Sequence, residues 1–254
     1  VKAMADKVLI AGHAGGTGAS PYSSIKHAGV PWEMGLAEAN QVLTLNGLRH
    51  RVKLQTDGGL KTGRDIVMAA LLGAEEYGIG TLSLVAMGCL MVRQCHSNTC
   101  PVGICTQDEA LRQRFGGTVE KVITLMSFMA EEVREILAAL GCRTMEEAIG
   151  RTDWLMQAAS GSQELDALDL SPLLTRAAQY PEAPRVCTMA SRNEVPPSLD
   201  EEMLEDVRRA LFTGEKLQLS YTVRNIHRTI GTRLSAMLCK AFNPEKLSPG
   251  HITI

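Results

Sequence analysis

The sequence predicts an α/β fold built on a parallel sheet, and two observations carry this prediction. Short apolar runs typical of buried strands alternate with longer stretches in which apolar residues recur at helical spacing. Each strand candidate in the first part of the chain is also followed by a glycine-containing turn. Strict alternation of strand and helix is typical of βα units, in which helices cover a parallel sheet.

The βα units occupy the first part of the chain. Its strand candidates are Val8–Ala11, Arg51–Gln55 and Glu76–Ile79. Helices are predicted between them, over residues 33–48 and 62–73. Thr62 is a good N-cap for the second of these helices, and Asp65 three residues later completes the pattern of a capping box.

The remaining elements suggest a second domain. A long amphipathic helix is predicted from Gly117 to Leu140, with Gly141 as its stop, and a short helix follows from Thr144. Residues 158–198 are polar and rich in proline, which predicts a linker between domains over 1–157 and 199–254. Within the second domain we expect a helix over 199–211, a strand over 216–221 and a helix over 224–242.

Composition excludes several classes of function. The formal net charge of the 254 residues is −2, which gives no basic field for nucleic acid or an anionic membrane. No apolar run reaches the roughly 18 residues that span a bilayer, and no signal peptide is visible. We therefore expect a cytoplasmic protein without nucleic-acid or membrane partners. The missing initiator Met and the abrupt end predict a piece of a longer chain.

Four of the seven cysteines fall close together, at Cys89, Cys95, Cys100 and Cys105. Thiolates are the natural ligands of iron–sulfur clusters, and one loop can wrap one cluster. The gaps are longer than those of most C-x2-C zinc sites, but a four-iron cluster, a zinc site or a group of reduced core cysteines stays open. We interpret the other three cysteines as small buried residues: Cys142, Cys187 and Cys239.

Two glycine turns predict a phosphate site. They are Asp57-Gly58-Gly59 and Gly78-Ile79-Gly80-Thr81, and each follows a strand candidate. In (βα)8 barrels a phosphate commonly lies between the loops after strands 7 and 8, where glycine lets backbone N–H groups approach its oxygens. This predicts a phosphorylated cofactor such as FMN, with ordinary turn chemistry as the alternative.

A third glycine loop, from His13 to Ser20, contains Gly15 and Gly16 and precedes Lys26 and His27. Such a loop beyond a strand end can lie against a flavin ring or a substrate carboxylate. The alternative is that these polar residues are ordinary solvated loop residues without a ligand.

A series of motifs follows along the first part of the chain: Gly12–Pro21, Ser24–Gly29, Pro31–Glu38, Gln55–Arg64, Ala69–Gly78 and the cysteine segment. Together they resemble the FMN domain of the large subunit of glutamate synthases, and the resemblance is nearly continuous from residue 1 to about 155. Further on, Val223–Ser235 resembles the start of the family's C-terminal right-handed β-helix domain. The resemblance therefore implies the C-terminal part of an FMN-binding (βα)8 TIM barrel, a linker and the first β-helix elements.

The resemblance also implies cofactors and their residues. FMN would be held by Gly15, Gly16, Asp57, Gly58, Gly59, Gly78, Gly80 and Thr81. A [3Fe–4S] cluster would be held by Cys89, Cys95 and Cys100, with Cys105 as a neighbour. Lys2 and His13 are the catalytic candidates in this chain.

The family's reaction would make glutamate from 2-oxoglutarate and glutamine-derived ammonia, by reduction of 2-iminoglutarate. Electrons would enter through the cluster and leave as a hydride from FMN. The implied partners are a glutaminase domain elsewhere in the protein and, as electron donor, a small NADPH-oxidising subunit or ferredoxin. Because a few βα units cannot close a barrel, we expect the isolated chain to be poorly folded or inactive.

Two rival functions remain. Another FMN barrel oxidoreductase, of the 2-hydroxyacid oxidase type, would share the glycine turns but has no need of the cysteine loop. A non-enzymatic iron–sulfur or zinc module would bind metal without flavin. Iron content separates the first rival from a glutamate synthase, and bound flavin separates the second.

Overall fold

The computed structural model divides the chain into two compact units, Val1–Asn193 and Glu194–Ile254. It describes residues 1, 3–16, 20–177, 183–190, 197–213, 216–241, 250 and 252–254. The division falls within 158–198, the segment predicted to be a linker. The domain limits inferred from the sequence stay a prediction.

The first unit contains a three-stranded sheet and its covering helices. Its strands are β1 (Lys7–Ala11), β2 (Lys53–Asp57) and β3 (Glu76–Gly78). Its helices are α1 (Tyr22–His27), α2 (Trp32–Leu45), α3 (Gly63–Leu71), α4 (Thr81–Ala86), α5 (Glu109–Arg112), α6 (Val119–Ala139), α7 (Met145–Ala148), α8 (Gln163–Asp166) and α9 (Ser171–Leu174). The alternation confirms the predicted α/β class with a parallel sheet.

The second unit contains α10 (Leu199–Thr213), β4 (Leu217–Gln218), α11 (Thr232–Ala241) and β5 (Ile252–Thr253). β4 and β5 pair in parallel although they are far apart in sequence. In the part of the chain that is described, no helix combines the length and the apolar character needed to cross a bilayer.

The strands of the first unit run parallel in the order β1-β2-β3. Ala11 pairs with Asp57, and Asp57 pairs with Gly78. These three residues are the last of their strands, so the carboxyl ends of all three strands lie level at one edge of the sheet. The loops that follow the strands therefore begin side by side.

The two faces of this sheet have different surroundings. Val8, Ile10 and Leu54 face a core that includes Leu36 of α2 and Ile66 of α3. The opposite face has little cover from the described residues, because Leu9 is 54% exposed there. Since parallel sheets are normally covered on both faces, this second face is suited to packing against further structure.

The predicted boundaries of α3 and α6 are supported by local contacts. The capping box is confirmed: Thr62 Oγ1 accepts from Asp65 N at 3.1 Å, and Asp65 Oδ2 accepts from Thr62 N at 3.0 Å. Gly141, with φ of +78°, follows the end of α6 as predicted. The two helices pack closely, and Gly63 N donates to Glu132 Oε2 at 2.7 Å.

Two boundaries in the second unit were predicted wrongly. The helix predicted over 224–242 begins only at Thr232, because Thr229 and Gly231 have φ of +52° and +82°, which a helix does not allow. Asp200 of α10 accepts from Gly231 N and Arg233 N at 2.7 Å each, which anchors the start of α11. The strand predicted over 216–221 is limited to Leu217–Gln218.

A buried ion pair joins the elements behind β2. Arg49 is 1% exposed, and its Nη2 lies 2.7 Å from Glu75 Oε1. The guanidinium also donates to Asn40 Oδ1, to the Val52 carbonyl and to the Gly73 carbonyl, at 2.9–3.0 Å. One cation therefore connects α2 to the segments that precede β2 and β3.

Replacing this cation should weaken the sheet. Arg49→Met would leave Glu75 without its cation in the interior, which costs about 3–5 kcal/mol. Hydrogen exchange of the full-length protein, followed in the peptides that cover β2, measures the change in local opening free energy.

Arg134→Met is the matched control, since Arg134 pairs with Glu131 on the exposed side of α6. Such surface pairs are worth about 0–1 kcal/mol. Equal effects of the two substitutions on exchange at β2 would contradict the role given to Arg49.

Candidate functional site

A cavity of about 420 Å³ opens at the carboxyl ends of the three strands. This volume lies within the usual range of small-molecule sites, about 300–1,000 Å³. The loops after β1, β2 and β3 all contribute to it, because their strands end level. Its lining is His13, Ala14, Gly16, Lys26, Asp57, Gly59, Leu60, Lys61, Gly78, Gly80, Thr81, Leu82, Val85, Met91 and Arg93.

Most residues that the sequence suggested for a cofactor line this cavity. They are Gly16, Asp57, Gly59, Gly78, Gly80 and Thr81, together with the catalytic candidate His13. Gly15 and Gly58 are not part of the lining but meet behind it, since a Cβ at Gly58 would lie 3.4 Å from Gly15 N. Lys2 lies outside the described residues, as do positions 17–19 of the first glycine loop.

Close packing explains two of the glycines. A Cβ at Gly12 would overlap the backbone N of Trp32 and lie 2.9 Å from its Cα. Gly58 has φ of +126°, and a Cβ there would lie 3.2 Å from Trp32 Cδ1. The loops after β1 and β2 can therefore approach the start of α2 only if residues 12 and 58 are glycine.

Gly80 is different, because packing does not require a glycine there. A Cβ at this position would meet no atom within 4 Å, and its φ of −85° is open to any residue. Gly80 lines the cavity, so a side chain would occupy space that is now available to a ligand.

The lining carries more positive than negative side chains. Lys26, Lys61 and Arg93 contribute ammonium and guanidinium groups, and Asp57 contributes the one carboxylate. Arg93 makes no hydrogen bond or ion pair with any residue that the structure describes. The cavity is therefore suited to a ligand with an anionic group, and Asp57 can accept hydrogen bonds from hydroxyl groups.

The cysteine loop lies directly beside this cavity. Cys89, Cys95, Cys100 and Cys105 line one small pocket of their own. Met91 and Arg93 line both this pocket and the larger cavity, and they form a wall between the two. The cysteine pocket and the candidate cofactor site are therefore neighbours that share two residues.

Backbone donors surround the most buried of these sulfurs. Cys100 is 7% exposed. The N–H groups of Cys105, Val102 and Ile104 lower the pKa of its thiol to about 7, with Cys105 as the strongest donor. Hydrogen bonds of this kind favour the thiolate, which is the form that binds metal.

The other cysteines of the loop have different environments. Cys89 Sγ accepts from Met91 N at 3.4 Å. Burial raises the pKa of the Cys105 thiol to about 12, and its hydrogen bonds to Cys95 and Cys100 act in the same direction.

The backbone of the cysteine loop is strained and tightly bound. Met91, Arg93 and Asn98 have φ of +57°, +62° and +59°, in the left-handed region that residues with side chains rarely adopt. Asn98 Oδ1 accepts from Thr106 Oγ1 at 2.9 Å and from Gln107 N at 2.7 Å, which closes the loop. Such strain is concentrated at functional sites.

The four thiols of the loop share one pocket, where they could bind a single metal ion or an iron–sulfur cluster. Within the described ranges, no three His, Cys, Asp or Glu side chains are arranged around one metal position. In an iron–sulfur cluster each thiolate binds a different iron, so the ligands are further apart than around one ion. Here the four thiols line one pocket, and backbone N–H groups favour the thiolate of Cys100.

The three isolated cysteines were predicted to be small buried residues. Cys142 is buried, next to Val67 and Leu71, which confirms the prediction for that residue. Cys187 is half-buried. The prediction is wrong for Cys239, which is exposed on α11.

Some lining residues had no signal in the sequence. Lys61 follows the glycine turn after β2 and lines the cavity. Nothing in the sequence distinguishes it from the other lysines of the chain. Met91 and Arg93 belong to the cysteine segment, but their place on the wall depends on the left-handed backbone there.

Comparisons with known proteins extend along the chain. The family model described as "Conserved region in glutamate synthase" matches residues 1–143. The chain is 63% identical over its full length to the glutamate synthase [NADPH] large chain of Azospirillum brasilense, and covers 17% of that protein. It is 48% identical over 97% of its length to the corresponding large chain of Bacillus subtilis, covering 16% of it.

Two further matches complete these comparisons. Ferredoxin-dependent glutamate synthase 2 of Synechocystis sp. is 46% identical over the full chain, which covers 16% of that relative. The chain thus spans about one sixth of the length of these relatives. A solved structure of a flavocytochrome b2 double variant with sulfite bound aligns with 66% of this chain. The aligned part is 36% of the flavocytochrome chain, and the sequence identity is 16%. Its TM-score of 0.39 is too low to support an argument about the fold.

The close approach at Gly12 gives a test of the site's geometry. Gly12→Ala would push its methyl group into the backbone of Trp32, and overpacking of this kind costs about 1–3 kcal/mol. We expect faster hydrogen exchange in the peptides that cover β1 and the start of α2.

Gly116→Ala serves as the control, because a Cβ there would meet no atom within 4 Å. It should leave exchange at β1 unchanged. If Gly12→Ala is equally silent, the contact between the β1 loop and α2 is not as described.

Proposed function

The chain belongs to the glutamate synthase family, and on this premise we propose that it binds FMN and an iron–sulfur cluster side by side within the large chain. The full protein would form glutamate from 2-oxoglutarate and glutamine-derived ammonia. One observation carries the proposal: the cavity at the strand ends and the four-cysteine pocket share a wall, formed by Met91 and Arg93.

We propose that the first unit is the C-terminal part of a (βα)8 barrel. Its three parallel strands are neighbours in chain order, as consecutive barrel strands are. The face of the sheet that bears Leu9 is largely uncovered by the described residues, and the remaining strands would cover it. The candidate site lies at the carboxyl ends of the strands, where active sites of such barrels lie.

The second unit would begin a right-handed β-helix domain. The parallel pairing of β4 with β5, across a long stretch of sequence, supports this proposal. Successive coils of a β-helix pair in parallel in the same way.

The cavity fits FMN in size and in charge. Lys26, Lys61 and Arg93 would hold the phosphate, since cationic side chains are its usual partners. Asp57 would accept hydrogen bonds from the ribityl hydroxyls. Gly16, Gly59, Gly78 and Gly80 would leave the cofactor room along the strand ends.

The cysteine pocket fits a [3Fe–4S] cluster. Cys89, Cys95 and Cys100 would be its ligands. The three N–H groups that favour the Cys100 thiolate support the assignment of that residue, and Cys89 Sγ accepts a hydrogen bond from Met91 N.

When bound, the two cofactors would supply hydride transfer and one-electron transfer. The residues of this chain hold them and control what reaches them. Met91 and Arg93 line both pockets, so the two cofactors would lie close together, which suits electron transfer. His13 lies at the cavity, where it could contact the substrate.

The electron donor would be a partner outside this chain. Relatives named for NADPH and for ferredoxin both match it, and the NADPH-linked large chain of A. brasilense does so at 63% identity against 46% for a ferredoxin-dependent relative. This difference favours a small NADPH-oxidising subunit. Glutamine would be used in a glutaminase domain elsewhere in the protein.

Filling the cavity at Gly80 tests the flavin site. Gly80→Leu in the full-length protein should keep the fold, because packing does not require glycine there. It should weaken FMN binding at least tenfold, or about 1.4 kcal/mol. Equilibrium titration of the flavin-free protein with FMN, followed by flavin fluorescence, measures the affinity.

Gly116→Leu places the same side chain in open space away from the cavity. It should bind FMN as the unmodified protein does. Unchanged FMN affinity in Gly80→Leu would place the flavin elsewhere.

Removing one thiol tests the cluster. Cys95→Ala in the full-length protein should lose iron and acid-labile sulfide, and FMN reduction by the physiological donor should slow by tenfold or more. Cys239→Ala, at an exposed cysteine of the second unit, should keep both properties. A cluster-free Cys95→Ala protein whose FMN is still reduced at the full rate would refute electron entry through the cluster.

A further inference from the structure

A group of hydrogen bonds ties the middle of the cysteine loop to the residues that end it. Asn98 lies between Cys95 and Cys100 in the chain. Its Oδ1 accepts from Gln107 N at 2.7 Å and from Thr106 Oγ1 at 2.9 Å. Its backbone carbonyl accepts from the same hydroxyl at 2.8 Å. We call these three contacts the Asn98 link.

The far end of the Asn98 link is fixed to α5. Thr106 is 7% exposed, and its Oγ1 also accepts from Asp108 N at 3.1 Å. Asp108 Oδ1 in turn accepts from Leu111 N at 2.9 Å and caps the start of α5. The Thr106 hydroxyl is therefore bonded on both sides. The link joins the cysteine loop to a residue that is itself held in place.

Two short turns next to this link contain the proposed ligands. Ser97 Oγ donates to the Gln94 carbonyl at 2.9 Å, which closes the turn that contains Cys95. Gly103 N donates to the Cys100 carbonyl at 3.2 Å, which closes the turn that begins at that cysteine. Each of these bonds acts within one turn only. A contact that reaches beyond both turns, as the link does, restrains how they lie relative to each other.

The residue type at position 98 suits both parts of this task. Asn98 has φ of +59°, and asparagine adopts the left-handed region more readily than most residues with side chains. Its amide oxygen supplies the acceptor that Gln107 N and the Thr106 hydroxyl use. Glycine would allow the same backbone but lacks the acceptor, so the two properties can be tested separately.

We propose that Asn98 is a positioning residue for the iron–sulfur cluster, which holds Cys95 and Cys100 at the spacing the cluster needs through its bonds to Thr106 and Gln107. The inference rests on the proposed function, because it requires those two cysteines to be ligands. Residues that hold metal ligands in place contribute strongly to metal retention, although they do not touch the metal. Asn98 would act in this way, through the backbone of the loop.

The test is the rate at which the full-length protein loses its cluster to EDTA, followed by the EPR signal of the oxidised three-iron cluster. Asn98→Gly keeps the left-handed backbone and removes the acceptor. The loss should become about tenfold faster or more, and the EPR line should broaden because the ligands take more than one geometry. Asn98→Asp keeps an oxygen acceptor and should restore both the rate and the line shape.

The other end of the link gives an independent pair of variants. Thr106→Val removes the hydroxyl at nearly constant shape and should also speed the loss, whereas Thr106→Ser keeps the hydroxyl and should not. Asn98→Gly combined with Thr106→Val should have less than the product of the two single effects, because both remove shared contacts. Thr44→Val is the control, since it removes a hydroxyl that donates to the Asn40 carbonyl on α2. It should leave the rate unchanged.

The FMN content of the same preparations shows whether a variant keeps its fold. Fast cluster loss with FMN retained supports the inference. An unchanged rate and line shape in Asn98→Gly, or equally fast loss in Asn98→Asp, would overturn it. Loss of FMN together with the cluster from Asn98→Gly and Thr106→Val would overturn it as well, because the link would then support the whole fold. An unmodified protein that contains no iron would instead refute the proposed function, and this inference with it.

Discussion

The register of three parallel strands is the constraint on which the site depends. Ala11, Asp57 and Gly78 pair across the sheet and end their strands level. The three following loops therefore start at one edge and enclose one cavity, and a shift in either pairing would separate them. The buried pair of Arg49 and Glu75 supports this register from behind, because it ties α2 to the segments that enter β2 and β3.

The cysteine loop adds a second candidate site at this edge of the sheet. Its backbone takes left-handed conformations at Met91 and Arg93. These two residues line the cavity, so the loop stays beside the strand ends. The same loop collects four thiols on its other side. One short segment thus faces both candidate cofactors, and this arrangement accounts for the dense clustering of cysteines in the sequence.

The sequence was informative where local chemistry decides the structure. The strand ends with their glycines and the capping box at Thr62 could be predicted, because turn residues and caps act within a few positions. The wall formed by Met91 and Arg93 could not, since it depends on backbone strain. The prediction of a helix across Gly231 was wrong because it rested on apolar spacing alone. The start of α11 is fixed by Asp200, which is distant in sequence.

The cofactor content of the full-length protein, isolated without oxygen, tests the central claim most directly. The shared wall between the cavity and the cysteine pocket requires that flavin, iron and acid-labile sulfide occur together in one chain. The account predicts FMN and an iron–sulfur cluster in the same preparation, in fixed proportion. Zinc in place of iron, or a cluster without flavin, would contradict it.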